Sequence, residues 1–276
     1  MTSMNEFLNI KGFDHFTIVT NNYCNLYCEH CVYLSHIPIN PKNENIFRRQ
    51  KWELYLDDLT LFCERFNGIG HESLHFLSGG EPTCLPVDKF VQIVDILVDH
   101  NRRVAVFTNG YNLLGIPKTT INKIDHIRLS NHGPNESHVQ DCISYLKPFY
   151  KGKLEPIATK THWDVEPAKK RKNHGERCFV WMRILPLFGE TIFPCCNTPC
   201  LMLQSNDTKM GDELNNAGWT IKNEDVMETI RDWRNTIPDC VSEQCLNNCY
   251  QPNINVGQGR TRITLKPYSV IKKVNT

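Results

Sequence analysis

Short apolar runs alternate along the chain with longer segments whose apolar residues recur at helical spacing. The runs predict β-strands at 13–20, 73–77, 103–107 and 126–129, and a weaker pattern predicts a fifth at 154–158. The longer segments predict amphipathic helices at 52–66, 87–100 and 137–146. Because strands and helices alternate, the pattern predicts right-handed βαβ units and a parallel sheet. About five to six parallel strands are too few for a complete barrel, so we expect an α/β fold with an open, partial (β/α) barrel.

Polar or glycine-rich clusters directly follow the predicted strands. They lie at 78–82, 108–110 and 130–133, and a cysteine-bearing loop follows the first strand. In parallel α/β folds ligands bind at the carboxyl ends of the strands. We therefore expect these four clusters to converge on one site.

Composition adds limits on size, partners and location. With 276 residues and 40% hydrophobic content, the chain can bury one core plus a smaller appended unit. The 31 basic and 30 acidic residues leave a net charge of +1. The chain therefore lacks the strong electrostatic field that is typical of a nucleic-acid-binding or membrane-surface protein. Residues 1–12 lack the apolar run of a signal peptide, and no apolar stretch approaches the roughly 20 residues of a membrane span. We expect a cytoplasmic protein.

The composition shifts after residue 158. Positions 13–158 form the predicted barrel domain, and 159–177 are polar and basic, as in a linker or a substrate-facing loop. Seven of the 13 cysteines then fall between positions 178 and 249, which predicts a metal-organised module at 178–252, followed by a tail at 253–276. In a reducing compartment, thiolate ligation of metal is a better interpretation of these cysteines than disulfides.

The first cysteine cluster, Cys24-x3-Cys28-x2-Cys31, supplies three thiolates within eight residues. A four-iron cluster ordinarily takes four cysteines, so three would leave one iron open for another ligand. The alternative is a zinc knuckle that borrows a fourth ligand, with His30 or His36 as candidates.

This cysteine spacing at the end of a first strand resembles the signature of the radical S-adenosylmethionine (SAM, AdoMet) superfamily. The segment Gly79-Gly80-Glu81-Pro82, one βα unit later, is similar to the family's segment for the methionyl amino group. Glycines let backbone approach a ligand closely, and the Glu81 carboxylate could stabilise an ammonium.

Weaker matches to the family follow the later strands. Thr108-Asn109-Gly110 is similar to the Thr-Asn-Gly of many members, and Ser130 and Asn131 stand where members contact the ribose and carboxylate of AdoMet. The residue before the third cysteine is usually aromatic, whereas here it is His30, whose imidazole can also stack on adenine.

The last third of the chain resembles the auxiliary-cluster modules called SPASM and twitch. The matching features are Cys178, a hairpin (179–185 and 191–193) with Gly189 at its turn, and Pro194-Cys195. Because the glycine-to-cysteine gap is one residue longer than usual, Cys196 is an alternative to Cys195. The later trio Cys240, Cys245 and Cys249 departs from the full SPASM spacing. We therefore expect the smaller twitch type with a second four-iron cluster, and zinc is the alternative metal.

The resemblance implies an enzyme that reductively cleaves AdoMet to a 5′-deoxyadenosyl radical and abstracts hydrogen from its substrate. The leading hypothesis is dehydrogenation, epimerisation or rearrangement of a small polar metabolite (a sugar, aminocyclitol or nucleoside-like compound), with flavodoxin or ferredoxin as reductant. The motif begins by residue 24, before which we expect no peptide-recognition domain, so a peptide-modifying (RiPP) maturase is the second hypothesis. A zinc-binding structural protein is the third. Candidate acids or bases are His132, Asp164 and Glu166, whereas Cys63 and Cys142 read as buried apolar residues.

Overall fold

The computed structural model describes residues 15–28, 31, 33, 38–43, 48–67, 72–131, 135–158, 184–193, 218–230 and 263–265. Ten strands are present in these ranges: β1 (His15–Asn21), β2 (Leu26–Cys28), β3 (Leu74–Gly79), β4 (Arg103–Thr108), β5 (His126–Asn131), β6 (Lys153–Ala158), β7 (Ile184–Phe188), β8 (Thr191–Ile192), β9 (Trp219–Thr220) and β10 (Ile263–Leu265). The helices with both ends described are α1 (Leu56–Arg65), α2 (Val87–Asp99), α3 (Lys118–Ile121) and α4 (Glu136–Leu146), and short 3₁₀ helices cover Pro82–Cys84 and Leu113–Gly115. Residues 226–230 are also helical, up to the limit of the described range.

Eight of the strands form one sheet, in the order β6-β5-β4-β3-β1-β7-β8-β9. The six strands from β6 to β7 are parallel, whereas β8 and β9 are antiparallel to their neighbours. Within the described ranges β6 and β9 are the two ends of the order, and no pairing between them closes the sheet. The prediction of an open, mostly parallel α/β sheet is confirmed.

Helix α1 begins at Leu56, four residues later than the apolar spacing predicted. The residues before it are held by the end of β1 instead. Glu53 forms an antiparallel bridge with Asn21, and the Leu54 amide donates to the Thr20 carbonyl at 2.8 Å. These backbone bonds keep 52–54 extended, and the helix starts only after them.

The predicted hairpin around Gly189 is present, and its first strand continues to Phe188, beyond the predicted end at 185, whereas 179–183 lie outside the described residues. Strand β7 covers Ile184–Phe188, pairs with β8, and also pairs in parallel with β1. Leu185 and Leu187 stand opposite Phe16 and Ile18 and join the same buried core. The hairpin is therefore an extension of the main sheet. The cysteines predicted for the C-terminal module lie outside the described residues.

One face of the sheet carries the apolar core. Alternate residues of β4 and β5 are fully buried there in one cluster with the apolar sides of α2 and α4. These residues are Val104, Val106, Ile127, Leu129, Phe90, Ile93, Leu97 and Val139. Because strand side chains alternate between faces, the intervening residues of β4 and β5 face away from these helices. No helix in the described part of the chain has the length and apolar character that a membrane crossing requires.

Arg102 connects the end of α1 to the start of β4. Its Nη2 donates to the carbonyls of Cys63 (3.1 Å) and Phe66 (2.5 Å), which belong to the last turn and cap of α1. The side chain is buried, with 3% of its surface exposed. Terminal helix carbonyls have no partner within their helix, so this guanidinium satisfies acceptors that burial would otherwise leave unpaired.

We predict that Arg102→Met lowers the free energy of unfolding by about 2–3 kcal/mol, because it removes charged hydrogen bonds to buried carbonyls. Urea denaturation of both proteins measures this difference. Lys123→Met is the control, since its ion pair with Asp95 (2.7 Å) has side chains 42% and 37% exposed, and its loss should cost less than about 1 kcal/mol. Equal losses in the two variants would contradict the assignment.

Candidate functional site

The carboxyl ends of β1, β3 and β4 meet around the buried carboxylate of Glu81. Its Oε1 accepts from the Thr83 amide (3.0 Å), the Thr83 hydroxyl (2.7 Å) and the Thr108 hydroxyl (2.6 Å). Its Oε2 accepts from the Asn109 amide at 2.7 Å. One side chain therefore joins the turn after β3 to the end of β4.

Burial raises the pKa of the Glu81 carboxyl, and the hydrogen bonds from Asn109, Thr108 and Thr83 oppose that shift. Only 3% of the residue is exposed. A carboxylate in such a place is stabilised by any cation that approaches it. The site is thus suited to a positively charged group at this edge of the sheet.

The two glycines before Glu81 allow the turn after β3 to lie against the start of the cysteine loop. The Gly80 amide donates to the Asn21 carbonyl and the Glu81 amide to the Tyr23 carbonyl, both at 2.8 Å. A Cβ on Gly80 would lie 2.0 Å from the Tyr23 carbonyl oxygen, and one on Gly79 (φ +118°) would lie 2.6 Å from the Asn21 carbonyl oxygen. The requirement for glycine at both positions therefore follows from backbone packing within the protein, before any ligand is considered.

Asn109 connects the Glu81 cluster to the first cysteine. Its Nδ2 donates to Asn25 Oδ1 at 2.8 Å and to Cys24 Sγ at 3.6 Å, while its backbone amide is held by Glu81. The cysteine loop, the Gly-Gly-Glu-Pro turn and the Thr-Asn-Gly turn are consequently linked in one hydrogen-bonded network. The expected convergence of these three clusters is what the structure shows.

Within the cysteine loop, the Leu26 amide donates to Cys24 Sγ at 3.3 Å and the Cys31 amide to the Cys28 carbonyl at 3.1 Å. Burial and the nearby Glu81 carboxylate raise the pKa of the Cys24 thiol. The thiol is therefore protonated at neutral pH unless a cation replaces its proton, which is how metal ligation acts.

The donor chemistry of this loop fits an iron–sulfur cluster. Three thiols lie on one loop, and Cys24 Sγ receives an N–H bond of the kind that tunes cluster sulfurs. Among the described residues, no three His, Cys, Asp or Glu side chains converge as ligands of a single metal ion would. Cluster thiolates bind different irons, so they do not need to converge on one point. His30 and His36, the candidate zinc ligands, lie outside the described residues.

The end of β5 joins the same edge through Asn135. Its Nδ2 donates to the Ser130 carbonyl at 2.9 Å and to the Asn109 carbonyl at 3.3 Å. The predicted residues that the structure brings to this edge are Gly79, Gly80, Glu81, Pro82, Thr108, Asn109, Ser130 and Asn131. The predicted residues outside the described ranges are His30, His132, Asp164, Glu166, Cys178, Cys195, Cys196, Cys240, Cys245 and Cys249.

Two cysteines that were predicted to be buried apolar residues, with no part in metal binding, are buried as expected. Cys63 and Cys142 are fully buried on helices, and burial raises the pKa of each thiol to about 11. Cys84, in the 3₁₀ helix after the turn, is half-buried, and its Sγ accepts from Asn112 Nδ2 at 3.4 Å.

Sequence reasoning missed Arg48, which is 1% exposed and donates through Nη1 to the Asn22 carbonyl just before Cys24. Asn22 is held further by Gln50 and Trp52, so the segment 48–52 packs directly on the cysteine loop. No local motif marks Arg48. A charged residue in a polar stretch (48–51) gives no sequence signal of burial.

Comparison with known proteins gives structural likeness without sequence likeness. No model of a protein family matches the chain, and no curated protein matches it. The crystal structure of BtrN in complex with AdoMet and 2-DOIA aligns with a TM-score of 0.52 and 13% identity, over 94% of this chain and 98% of BtrN.

Two further solved structures have TM-scores too low to carry an argument. Native anSMEcpe with bound AdoMet and the Cp18Cys peptide has a TM-score of 0.39 and 18% identity over 53% of this chain, and the match spans only 43% of that protein. Streptococcus suis SuiB bound to S-adenosylmethionine has a TM-score of 0.38 and 12% identity, over 81% of this chain and 65% of SuiB.

The BtrN alignment extends over nearly the whole of both chains, so the likeness is one of overall architecture. It agrees with the open parallel sheet and with the position of the three motif clusters at its carboxyl edge. At the level of the fold, the chain is therefore similar to BtrN, a protein whose crystal structure holds AdoMet.

Proposed function

We propose that the chain is a radical SAM enzyme acting on a small polar metabolite. The observation that carries the proposal is the Asn109 bridge. The Asn109 backbone amide donates to the Glu81 carboxylate, and its side-chain Nδ2 donates to Cys24 Sγ. A cysteine loop and a cation-stabilising carboxylate are thereby held together at the edge of the sheet where ligands of parallel α/β folds bind.

In this proposal Cys24, Cys28 and Cys31 hold a four-iron cluster, and AdoMet occupies the iron that lacks a cysteine. When bound, the reduced cluster and AdoMet together supply a 5′-deoxyadenosyl radical that abstracts hydrogen. The chain's own contribution is positional. The Leu26 amide and Asn109 Nδ2 donate to the Cys24 sulfur and orient it, and the segment 48–52 shields the loop.

Glu81 is proposed to bind the methionyl ammonium of AdoMet through Oε2, which accepts only one hydrogen bond from the described residues, whereas Oε1 accepts three. A carboxylate oxygen offers about two lone pairs, and Oε2 uses one of them, so Oε2 keeps capacity for the ammonium, whereas the lone pairs of Oε1 are already shared among three donors. Ser130, Asn131, Thr108 and His30 are proposed to contact the rest of AdoMet, and His132, Asp164 and Glu166 remain candidate acids or bases.

The substrate class rests on a narrower observation. BtrN, whose crystal structure holds AdoMet and 2-DOIA, matches this chain over 98% of its own length. A small polar metabolite that undergoes dehydrogenation, epimerisation or rearrangement is therefore favoured over a peptide. Flavodoxin or ferredoxin is the proposed reductant, and the proposed location is the cytoplasm.

Replacing Cys24, Cys28 and Cys31 together by alanine should remove about four irons per chain and abolish 5′-deoxyadenosine formation. Iron assay and chromatography after anaerobic reconstitution measure both. Cys63→Ala, which removes a fully buried helix cysteine, is the control and should keep its iron. Persistent 5′-deoxyadenosine formation in the triple variant would show that the radical chemistry is assigned to the wrong residues.

Glu81→Gln should weaken AdoMet binding by about 1.5–3 kcal/mol, because a charged hydrogen bond to the ammonium is lost. It should also lower the free energy of unfolding by about 1–3 kcal/mol, since in either orientation the new NH₂ group faces a backbone amide, of Thr83 or of Asn109. Calorimetric titration and urea denaturation give the two values.

Asp125→Asn is the matched control for Glu81→Gln. Its carboxylate also accepts a β4 amide, that of Val104 at 3.0 Å, but at the opposite end of the strand. This variant should lose stability and keep its AdoMet affinity. If Glu81→Gln also kept its affinity, the ammonium contact would have to be assigned elsewhere.

We further propose that Cys178, Cys195 (or Cys196), Cys240, Cys245 and Cys249 provide the ligands of a second, auxiliary cluster. Reconstituted protein should then hold about eight irons, and the triple variant at 24, 28 and 31 about four. Wild-type protein with only four irons and one tightly bound zinc would contradict the second cluster while leaving the first intact.

A further inference from the structure

The face of the sheet that turns away from α2 and α4 carries a row of aromatic and charged side chains. Phe107 of β4 stands opposite Arg128 of β5, which stands opposite Glu155 of β6. Phe76 of β3 lies against the Phe107 ring, with 4.4 Å between ring centroids. Arg128 lies on an internal parallel strand, where a charged side chain is unusual because such strands are mostly apolar on both faces, whereas Glu155 lies on the end strand β6.

Contacts on two sides hold the Arg128 guanidinium in place. Its Nε donates to Glu155 Oε2 at 2.6 Å. Its central carbon lies 5.1 Å from the Phe107 ring centroid and 5.6 Å from that of Phe76. A guanidinium fixed in this way has little conformational freedom left to lose when a ligand binds, so its geometry is preorganised.

The end of the Arg128 side chain keeps its hydrogen-bonding capacity. The ion pair uses Nε, and no described residue accepts a hydrogen bond from Nη1 or Nη2. The side chains of Arg128 and Glu155 are 30% and 31% exposed, so a ligand can reach them. Two parallel N–H groups in one plane match the two oxygens of a carboxylate or phosphate.

The charge of the surrounding cluster favours an anion. Lys153 Nζ lies 3.6 Å from Glu155 Oε1, and His126 Nε2 lies 3.0 Å from Glu155 Oε2 without hydrogen-bond geometry. Burial lowers the pKa of His126, with Lys153 adding to the shift, so the imidazole is neutral at neutral pH. Arg128 and Lys153 against Glu155 leave one net positive charge on this part of the sheet.

Arg128 also lies close to the proposed AdoMet site. It precedes Ser130, on the same side of β5, by two residues, which is about 6.6 Å along a strand. Phe107 likewise precedes by two residues Asn109, which directly follows β4. A small molecule held by Arg128 could therefore extend toward the carboxyl edge where the radical would form.

We propose that Arg128, oriented by Glu155 and by the rings of Phe76 and Phe107, binds an anionic oxygen group of the substrate, a carboxylate or a phosphate. This assignment rests on the proposed function, because it places the substrate beside AdoMet. It restricts the proposed small polar metabolite to one that carries an acidic group.

The test is titration of the reconstituted protein, saturated with AdoMet, with inorganic phosphate and with acetate at constant ionic strength. Arg128→Met should raise the dissociation constant at least about tenfold, as expected for loss of charged hydrogen bonds. Glu155→Gln should lower it several-fold, because the amide oxygen can still accept from Nε and orient the guanidinium while the negative charge that repels the anion is removed. Without saturable binding of either anion to wild-type protein, or with equal binding to Arg128→Met, the proposal is overturned.

Arg103→Met is the matched control, since Arg103 also pairs through Nε with a carboxylate, that of Asp125 at 3.5 Å, directly before the neighbouring strand β5. This variant should bind both anions as wild type does, and an equal loss there would overturn the assignment to Arg128. If phosphate binds AdoMet-free wild-type protein and AdoMet then displaces it, Arg128 serves the methionyl carboxylate and the substrate assignment is wrong. Failure of the radical proposal itself would appear separately, as missing iron and absent 5′-deoxyadenosine.

Discussion

The buried carboxylate of Glu81 is the interaction on which the site depends. It accepts hydrogen bonds from the turn after β3 and from the end of β4. The backbone of Glu81 is hydrogen-bonded to Tyr23 and Asn21, at the start of the cysteine loop. An ionised group costs free energy when it leaves water, and four donors offset that cost only while the three loops keep their positions. The carboxylate therefore couples the geometry of the cysteine loop to that of the strand ends.

The two faces of the sheet have different physical roles. One is filled by apolar residues of β4 and β5 packed with α2 and α4, and this packing belongs to the buried core that stabilises the fold. The other carries the Phe107, Arg128 and Glu155 row, where polar groups are held in pairs and remain partly exposed. A rigid apolar face thus supports a polar face that has the donors to bind a ligand.

The sequence predicted what depends on local pattern. Strand and helix positions followed from apolar spacing, and the convergence of Cys24, Glu81 and Asn109 followed from the rule that parallel strands end at one edge. Contacts between distant segments were not predictable in the same way. The pairing of β7 with β1, and of β10 with β2, joins segments more than 150 residues apart without any local signal.

The role of individual residues was also only partly predictable. Gly79 and Gly80 were expected to make room for a ligand, whereas their close contacts are with the backbone of Asn21 and Tyr23. Arg48 had no sequence signal of its burial, because burial depends on the fold as a whole. Local chemistry marks which residues meet at the site, and the packing around them decides what each contacts.

The central claim is that AdoMet binds the cluster held by Cys24, Cys28 and Cys31. Electron paramagnetic resonance of the anaerobically reduced protein, recorded with and without AdoMet, tests it most directly. If AdoMet ligates the iron that lacks a cysteine, its addition should change the g-values of the reduced cluster. A reduced four-iron signal that is identical with and without saturating AdoMet, or protein that holds zinc and gives no such signal, would contradict the account.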